Sequence, residues 1–308
     1  MIATIFSKTR PFNYILIGLL LVLFFVLFGF CQNLFDGLSA TLVLVATFVL
    51  IAGTIFLTSF IGLRNNLTKN NTYAILFCLL FTLMFPQVFQ NVGLVFSNFL
   101  VLLAIRRLVA VQSLKNIKQK IFDASMLIFM ASLFQFWAIL FILLVFVIIV
   151  FFAVRDYRNW IIPIIALAAT VVLFVFFALL FEPVLVANYF QNQTISTNID
   201  YFSNTFQNIS FSVFLTLSLL FFTSLVFSYT KKPMADQALF RLIMLSFLLA
   251  IAVFVLSPEK NNSLLIYAFA PLAIMASNYF ENIQTNWIAQ VSAGIITILA
   301  ITCFVGQL

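Results

Sequence analysis

The sequence contains no histidine, only three cysteines and few charged residues. Charged residues make up 7% of the 308 positions, whereas a soluble domain carries about 25%. The absence of histidine removes the commonest metal ligand and the side chain that titrates near neutral pH. Cys31, Cys78 and Cys303 lack the spacing of a metal cluster. The composition therefore excludes a water-soluble globular domain, and it predicts neither a metal site nor a cofactor.

Long uncharged segments occur throughout the chain, which is 65% hydrophobic with a mean hydropathy of +1.21. Most of these segments approach the roughly 20 residues that a helix needs to cross a bilayer. They do not alternate polar and apolar residues as the strands of membrane barrels do. We therefore predict an all-α fold, a polytopic transmembrane helical bundle with residues 1–308 as a single integral membrane domain. The uncharged runs are 12–31, 38–63, 160–181, 211–229, 242–257, 263–280 and 287–305.

Two further segments, 72–105 and 121–153, are each long for one crossing and short for two. The first is interrupted at PQVFQN, beginning at Pro86, and the second around Gln135. Each interruption contains a Phe-Gln pair, and each segment is followed by an arginine, which suggests a weak internal repeat of two short helical hairpins. Chance similarity in a chain with 42 phenylalanines is the alternative. Counting both hairpins as two crossings gives about eleven helices, and counting them as re-entrant gives seven crossings.

The basic residues predict the orientation in the membrane. If the N-terminus is cytoplasmic, every lysine and arginine except Lys260 falls on the cytoplasmic side, while the eight acidic residues divide evenly. This asymmetry follows the positive-inside rule. We therefore predict a multi-pass protein of the bacterial inner membrane with a cytoplasmic N-terminus. The polar segment 182–210 is then a large periplasmic loop.

The stretch IRRLVAVQSLKNIKQK carries five positive charges and no acid. Ala110, Leu114, Ile117 and Ile121 share one helical face, which predicts a cytoplasmic amphipathic elbow over residues 106–120. Such a helix lies at the headgroup level and gains about 1 kcal/mol per basic residue from anionic lipid. Docking of a protein partner is the alternative, and nucleic-acid binding is not expected. The candidate lipid-binding or partner-docking residues are Arg106, Arg107, Lys115, Lys118 and Lys120.

No apolar segment carries an ionisable residue beyond its first turn. Asp123 comes closest, and an acid in a first turn suits the helix dipole. Transporters coupled to protons or sodium need ionisable groups inside the membrane. The sequence therefore argues against a coupled transporter, and no motif marks a channel filter.

The periplasmic rim holds the candidate catalytic residues. An enzyme acting on a polyprenyl-phosphate substrate uses a carboxylate as base and a cation against the phosphate. Asp36 is the candidate base, Glu182 a candidate assisting acid and Lys260 the candidate phosphate-binding cation. The alternative is that these three residues only mark helix ends in water.

Nearly the whole chain resembles an uncharacterised family of multi-pass inner-membrane proteins from Bacteroidota. The resemblance implies an inner-membrane location and no established activity. It is carried by SKTRPFNYILIG, NNLTKNNTYAILF, LLAIRRLVAVQSLKNIKQKIFDASMLIFMASLFQFW, RNWIIP and NNSLLIYAFAPLAIMASNYFE.

The paired hairpins and the segment YAFAPLAIMA, with Tyr267 and Pro271, are also similar to the GT-C superfamily of polyprenyl-dependent glycosyltransferases. That resemblance implies an acidic base in the first outer loop, at Asp36. The loop over residues 32–37 is much shorter than the folded loop usual in that superfamily. The departure favours a GT-C-like scaffold without activity.

We therefore predict a non-catalytic subunit or partner of an envelope-biogenesis assembly. Its expected partners are membrane lipids and a membrane protein or cytoplasmic protein. The alternative is a GT-C-like glycosyltransferase that uses a lipid-linked sugar at the periplasmic face. A third function, lipid translocation, needs a polar groove between helices, and Asn98, Gln135 and Gln290 are too few to predict one.

Overall fold

The computed structural model describes residues 2–35, 37–154, 156–181, 189, 205–258 and 260–308, and all regular structure within them is helical. Nine helical segments of this described part are long and apolar enough to cross a membrane, which confirms the polytopic all-α bundle. The helices are α1 (Ile2–Phe6), α2 (Pro11–Cys31), α3 (Leu38–Arg64), α4 (Tyr73–Met84), α5 (Val92–Val109), α6 (Ile117–Phe134), α7 (Ile142–Ile148), α8 (Arg158–Phe181), α9 (Thr205–Ser228), α10 (Met234–Leu256), α11 (Ile266–Asn282) and α12 (Asn286–Val305).

Helices α4 and α11 form the centre of the bundle. Every residue of α4 is buried, and so are 94% of the residues in the membrane-length stretch that contains α11. In the corresponding stretch of α8 only 17% of the residues are buried, so this helix presents apolar side chains outward, as a lipid-facing helix does. The buried apolar residues form one connected core that extends from Ala3 to Phe304.

The first hairpin crosses the bundle with a helix of only 12 residues. Twelve α-helical residues span about 18 Å, less than the roughly 30 Å of a bilayer core. Pro86 disfavours the α conformation at Phe85, which takes φ −132° and ψ 69°, and a five-residue 3-10 helix, Pro86–Gln90, follows. This 3-10 helix adds about 10 Å of length.

The break in the first hairpin lies at the end of the bundle where α12 ends. Gln307 Nε2, just beyond the C-terminus of α12, donates a 3.0 Å hydrogen bond to Met84 O. Pro86, Val88 and Phe89 are buried, so most of the non-α backbone is shielded by protein, as a membrane requires.

The second hairpin has the same order of elements. Helix α6 ends where Gln135 is extended, at φ −138° and ψ 104°, and a 3-10 helix, Phe136–Phe141, leads into α7. The backbone N–H of Gln135 still bonds to Ala131 O. The predicted interruption at Gln135 is therefore present, and both hairpins consist of a helix, a 3-10 helix and a second helix.

Contacts between loops define one end of the bundle, which we call the basic end. Thr72 N donates to Phe6 O at 3.0 Å, which brings the N-terminal segment to the loop before α4. The loops that the charge pattern assigned to one side meet here. Their contacts are Lys69 N to Glu281 Oε1 (2.8 Å), Lys232 Nζ to Asn278 Oδ1 (3.1 Å), Gln112 Nε2 to Asp236 Oδ1 (3.4 Å) and Lys118 Nζ to Asp156 Oδ2 (2.9 Å).

The remaining described loops meet at the opposite end. Gln32 Nε2 donates to Leu308 O at 2.9 Å, and Asn262 Nδ2 donates to Gln207 O at 3.4 Å. Cys31 is exposed, Cys303 is buried and both are free thiols, so the two do not form a disulfide.

The elbow differs from the single amphipathic helix expected over residues 106–120. Helix α5 ends at Val109, a 3-10 helix covers Ala110–Ser113, and α6 begins at Ile117. Leu114 and Asn116 take left-handed conformations between them, at φ 56° and φ 51°. The chain must reverse here because α5 and α6 pack side by side.

The predicted loop 182–210 also ends earlier in the chain than expected. Helix α9 begins at Thr205, so residues 205–210 are helical although they are polar. Residues 182–188 and 190–204 lie outside the described residues. The sequence TFQNIS was assigned to the loop because it is polar. A helix end that extends beyond the hydrocarbon layer needs no apolar residues, so these residues can be helical.

Candidate functional site

The helix breaks converge on a polar cavity at the end opposite the basic end. The 3-10 helix Asn262–Leu265, before α11, joins the breaks of the two hairpins there. Asn91 Nδ2 lies 3.4 Å from Ser263 Oγ. The cavity measures about 340 Å³, and we call it the break pocket. It is lined by polar Asn91, Gln135, Ser257, Asn261 and Ser263, aromatic Phe134, Phe136, Trp137 and Tyr189, and Leu94, Leu133, Pro258 and Leu264.

The described side chains that line the break pocket are all uncharged. Gln135 Nε2 lies 3.4 Å from Ser257 Oγ, which joins the second hairpin to the end of α10. The indole Nε1 of Trp137 is buried and has no hydrogen-bond partner among the described residues. A buried donor without a partner costs about 1–3 kcal/mol. The described lining of the pocket therefore offers amides and hydroxyls to an uncharged polar group.

One of the three predicted catalytic residues lies in the described part of the chain. Lys260 is partly exposed at this end and immediately precedes Asn261, but it does not line the break pocket. It forms no ion pair with any described residue. Asp36 and Glu182 lie outside the described residues.

At the basic end, the two arginines of the elbow are held by neighbouring side chains. The Arg106 guanidinium carbon lies 4.5 Å from the centroid of the Phe60 ring, a cation–π geometry. Arg107 Nε lies 3.4 Å from Asp123 Oδ2. Asp123 thus pairs with Arg107, and no ion pair to Lys120 forms.

Lys118 ties the elbow to the start of α8. Its Nζ lies 2.9 Å from Asp156 Oδ2, and the same aspartate accepts a hydrogen bond from Arg158 N through Oδ1 at 3.0 Å. The hydrogen bond from Lys118, followed by that from the backbone of Arg158, holds the pKa of Asp156 below its ordinary value. The carboxylate therefore stays charged at neutral pH and in mild acid.

Lys120 stabilises the elbow by hydrogen bonds to the 3-10 helix that follows α5. Its Nζ donates to Ala110 O and to Ser113 Oγ, both at 2.7 Å, and so satisfies a carbonyl at the end of α5. Partial burial, followed by the charges of Arg107 and Lys115, lowers the pKa of Lys120. Four of the five predicted elbow residues thus hold the elbow's shape in addition to carrying charge.

The remaining part of the elbow is an exposed tip, which consists of Leu114, Lys115 and Asn116. Leu114 is 60% exposed although it is apolar and held at a positive φ. A groove of about 810 Å³ lies beside the tip between the elbow and residues Phe151–Asn159. Asn159 lines this groove, and its Oδ1 is buried without a partner among the described residues.

Sequence reasoning missed most of the break pocket. Asn91 was identified only as part of a helix break, and Gln135 as a break and as one of three polar residues too few to predict a groove. Trp137, Ser257 and Ser263 were not singled out. The usable signal was their position: each lies next to a helix interruption on the same predicted side of the membrane. Polar residues at several breaks that face one side are candidates for a shared site.

The geometry and composition identify a polytopic α-helical membrane protein. The chain matches no family model, no curated protein and no solved structure.

Proposed function

We propose that this protein is a non-catalytic subunit of a membrane assembly in the bacterial cell envelope, and that its elbow docks a partner at the cytoplasmic face. The observation that carries the proposal is the tip. A bulky residue in the left-handed region costs about 1–2 kcal/mol, and such outliers cluster where function needs them. Leu114 combines that conformation with a 60% exposed apolar side chain.

The surroundings of the tip support docking. Lys120, Arg107 and Lys118 fix the elbow on three sides, so a partner meets a rigid surface and pays little ordering cost. The adjacent groove gives the partner an apolar wall at Phe151. Exposed Lys115 favours an acidic partner segment.

The test is purification in mild detergent followed by quantitative mass spectrometry of co-purifying proteins. Leu114→Asn keeps the left-handed conformation, which asparagine tolerates, and removes the apolar side chain. We expect it to reduce the amount of a stoichiometric partner on the order of tenfold. Met234→Asn is the matched control, because Met234 is 89% exposed at the same end. Wild-type protein that is reproducibly isolated alone contradicts the proposal, as does equal loss in both variants.

The alternative remains a GT-C-like glycosyl transfer from a lipid-linked sugar. It is favoured by the uncharged, hydroxyl- and amide-lined break pocket and by Lys260, which flanks that pocket in sequence. Asp36→Asn is the deciding variant: it abolishes transfer if Asp36 is the base. Unchanged envelope glycans in an Asp36→Asn strain remove this function.

A further inference from the structure

An apolar groove lies beside the break pocket on the membrane-facing surface. The groove measures about 500 Å³, and its walls include Val49, Leu50, Val92, Gly93 and Phe96. Phe134 lines both the pocket and the groove, and its ring packs edge-on against Phe96 with centroids 4.8 Å apart. A polar compartment and an apolar compartment therefore share one wall.

The first turns of α5 separate the two compartments. Asn91 and Leu94 line the break pocket, whereas Val92, Gly93 and Phe96 line the groove. Val49 is 60% exposed, so the groove opens on the surface that faces lipid. This order, polar at the end of the bundle and apolar toward its middle, matches an amphiphile that lies along the membrane normal.

The lining of the pocket selects the headgroup chemistry. A phosphate or carboxylate held in a partly enclosed site needs a cation or several charge-assisted donors, and none of the described residues that line the pocket is charged. The amides and hydroxyls suit the hydroxyl groups of a sugar, and the rings of Phe136 and Trp137 offer apolar faces. The volume lies within the range of about 300–1,000 Å³ that is usual for small-molecule sites.

We propose that the break pocket and the groove together bind one membrane lipid, with an uncharged sugar headgroup in the pocket and an acyl chain in the groove. This site is independent of the elbow and of any catalytic role for Asp36.

The binding test uses Trp137 as the reporter. The chain has three tryptophans, and Trp160→Phe with Trp287→Phe leaves Trp137 alone. This protein, in phosphatidylcholine nanodiscs, is titrated with monoglucosyl-diacylglycerol that carries brominated acyl chains, and native mass spectrometry counts the bound lipid. We expect saturable quenching and one retained glucolipid. Brominated phosphatidylglycerol and soluble methyl glucoside are the comparison ligands, and both should bind at least about tenfold more weakly.

Gly93→Leu tests the groove. A Cβ built at Gly93 meets no atom within 4 Å, so a side chain can begin here and extend into the groove. We expect it to weaken glucolipid binding on the order of tenfold. Gly294→Leu is the matched control, because Gly294 also lies in a helix with open space at its Cβ position. Asn261→Ala, which removes an exposed amide that lines the pocket, should weaken binding with unchanged thermal stability.

Each contrary result overturns a defined part of the proposal. Equal binding of phosphatidylglycerol overturns the uncharged headgroup, and equal binding of methyl glucoside overturns the acyl groove. Absence of both quenching and retained glucolipid overturns the site, and so does an equal effect of Gly93→Leu and Gly294→Leu. Loss of a co-purifying partner in the Leu114→Asn variant bears on the elbow alone, so the two proposals fail separately.

Discussion

At the scale of single residues, two neighbouring polar side chains in α5 differ in hydrogen bonding. Ser97 Oγ donates to Ala131 O at 2.8 Å and lies 2.7 Å from Tyr267 OH, which joins three helices. Asn98 is fully buried, and neither atom of its amide has a partner in the described part of the chain. Ser97 therefore stabilises the packing, whereas Asn98 costs desolvation energy.

Replacing these two residues should have opposite effects. Asn98→Leu removes two unpartnered polar atoms at similar volume and should raise the free energy of unfolding by about 1 kcal/mol. Ser97→Ala breaks the three-helix network and should lower it by about 1 kcal/mol. Thermal unfolding in one detergent compares both variants with wild type. A destabilised Asn98→Leu protein would mean that this amide has a partner, such as an ordered water.

At the scale of elements, the C-terminal segment fastens the short helix α4. Gln307 Nε2 lies 3.0 Å from Met84 O, 2.7 Å from Ser210 Oγ and 3.0 Å from Cys303 O. One amide thus joins the ends of α4, α9 and α12. Because the last carbonyls of a helix have no partner within the helix, the buried Met84 carbonyl at the end of α4 needs this donor.

Gln307→Leu should lower the free energy of unfolding by about 1–3 kcal/mol, because it leaves the buried Met84 carbonyl without this donor. Gln32→Leu is the control: Gln32 is exposed and donates one bond to Leu308 O, so we expect a change within about 0.5 kcal/mol. The measurement is again thermal unfolding in detergent. Equal effects of the two substitutions would show that Gln307 does not fasten α4.

The elbow should loosen in acid. The pKa of Asp156 is lowered in the folded protein, so its contribution to stability is present above the ordinary aspartate pKa and is lost as pH falls through the folded pKa. Hydrogen exchange of residues 115–119 should therefore accelerate only below the ordinary aspartate range, about pH 3.9. Asp156→Asn should show the faster exchange at neutral pH. Protection that is unchanged in this variant would rule out a role for the Lys118 pair in holding the elbow.

The elements that could be predicted from sequence are those set by local chemistry. Pro86 marks the first break because it restricts the residue before it, and the uncharged runs mark the crossings. The pairing of Asn91 with Ser263 depends on packing between residues 172 positions apart, which no local pattern encodes. The left-handed Leu114 was also unpredictable, since a bulky residue avoids that region. The break pocket therefore could not be foreseen as a unit.

At the scale of the whole molecule, the contacts place the two termini at opposite ends of the bundle, so we expect an odd number of crossings. The contacts group the loops as the distribution of basic residues predicted, and the positive-inside rule predicts that the basic end is cytoplasmic. We therefore expect the basic end and the opposite end of the bundle to be accessible from opposite sides of the membrane.

A protein without its three free cysteines can carry one new cysteine at either end. Lys115→Cys should react with a membrane-impermeant maleimide only after the inner membrane is opened, because Lys115 lies on the exposed tip of the basic end. Leu308→Cys should react in cells whose outer membrane alone is permeabilised. Labelling of both positions from the same side would contradict the odd number of crossings.

The enclosure of α4 also sets an order of events during synthesis. Its principal neighbour, α11, begins roughly 180 residues after α4 ends, and ribosomes add about 5–20 residues per second. The nascent chain must therefore keep this short, strongly apolar helix in place for about 10–40 s before its permanent neighbour exists.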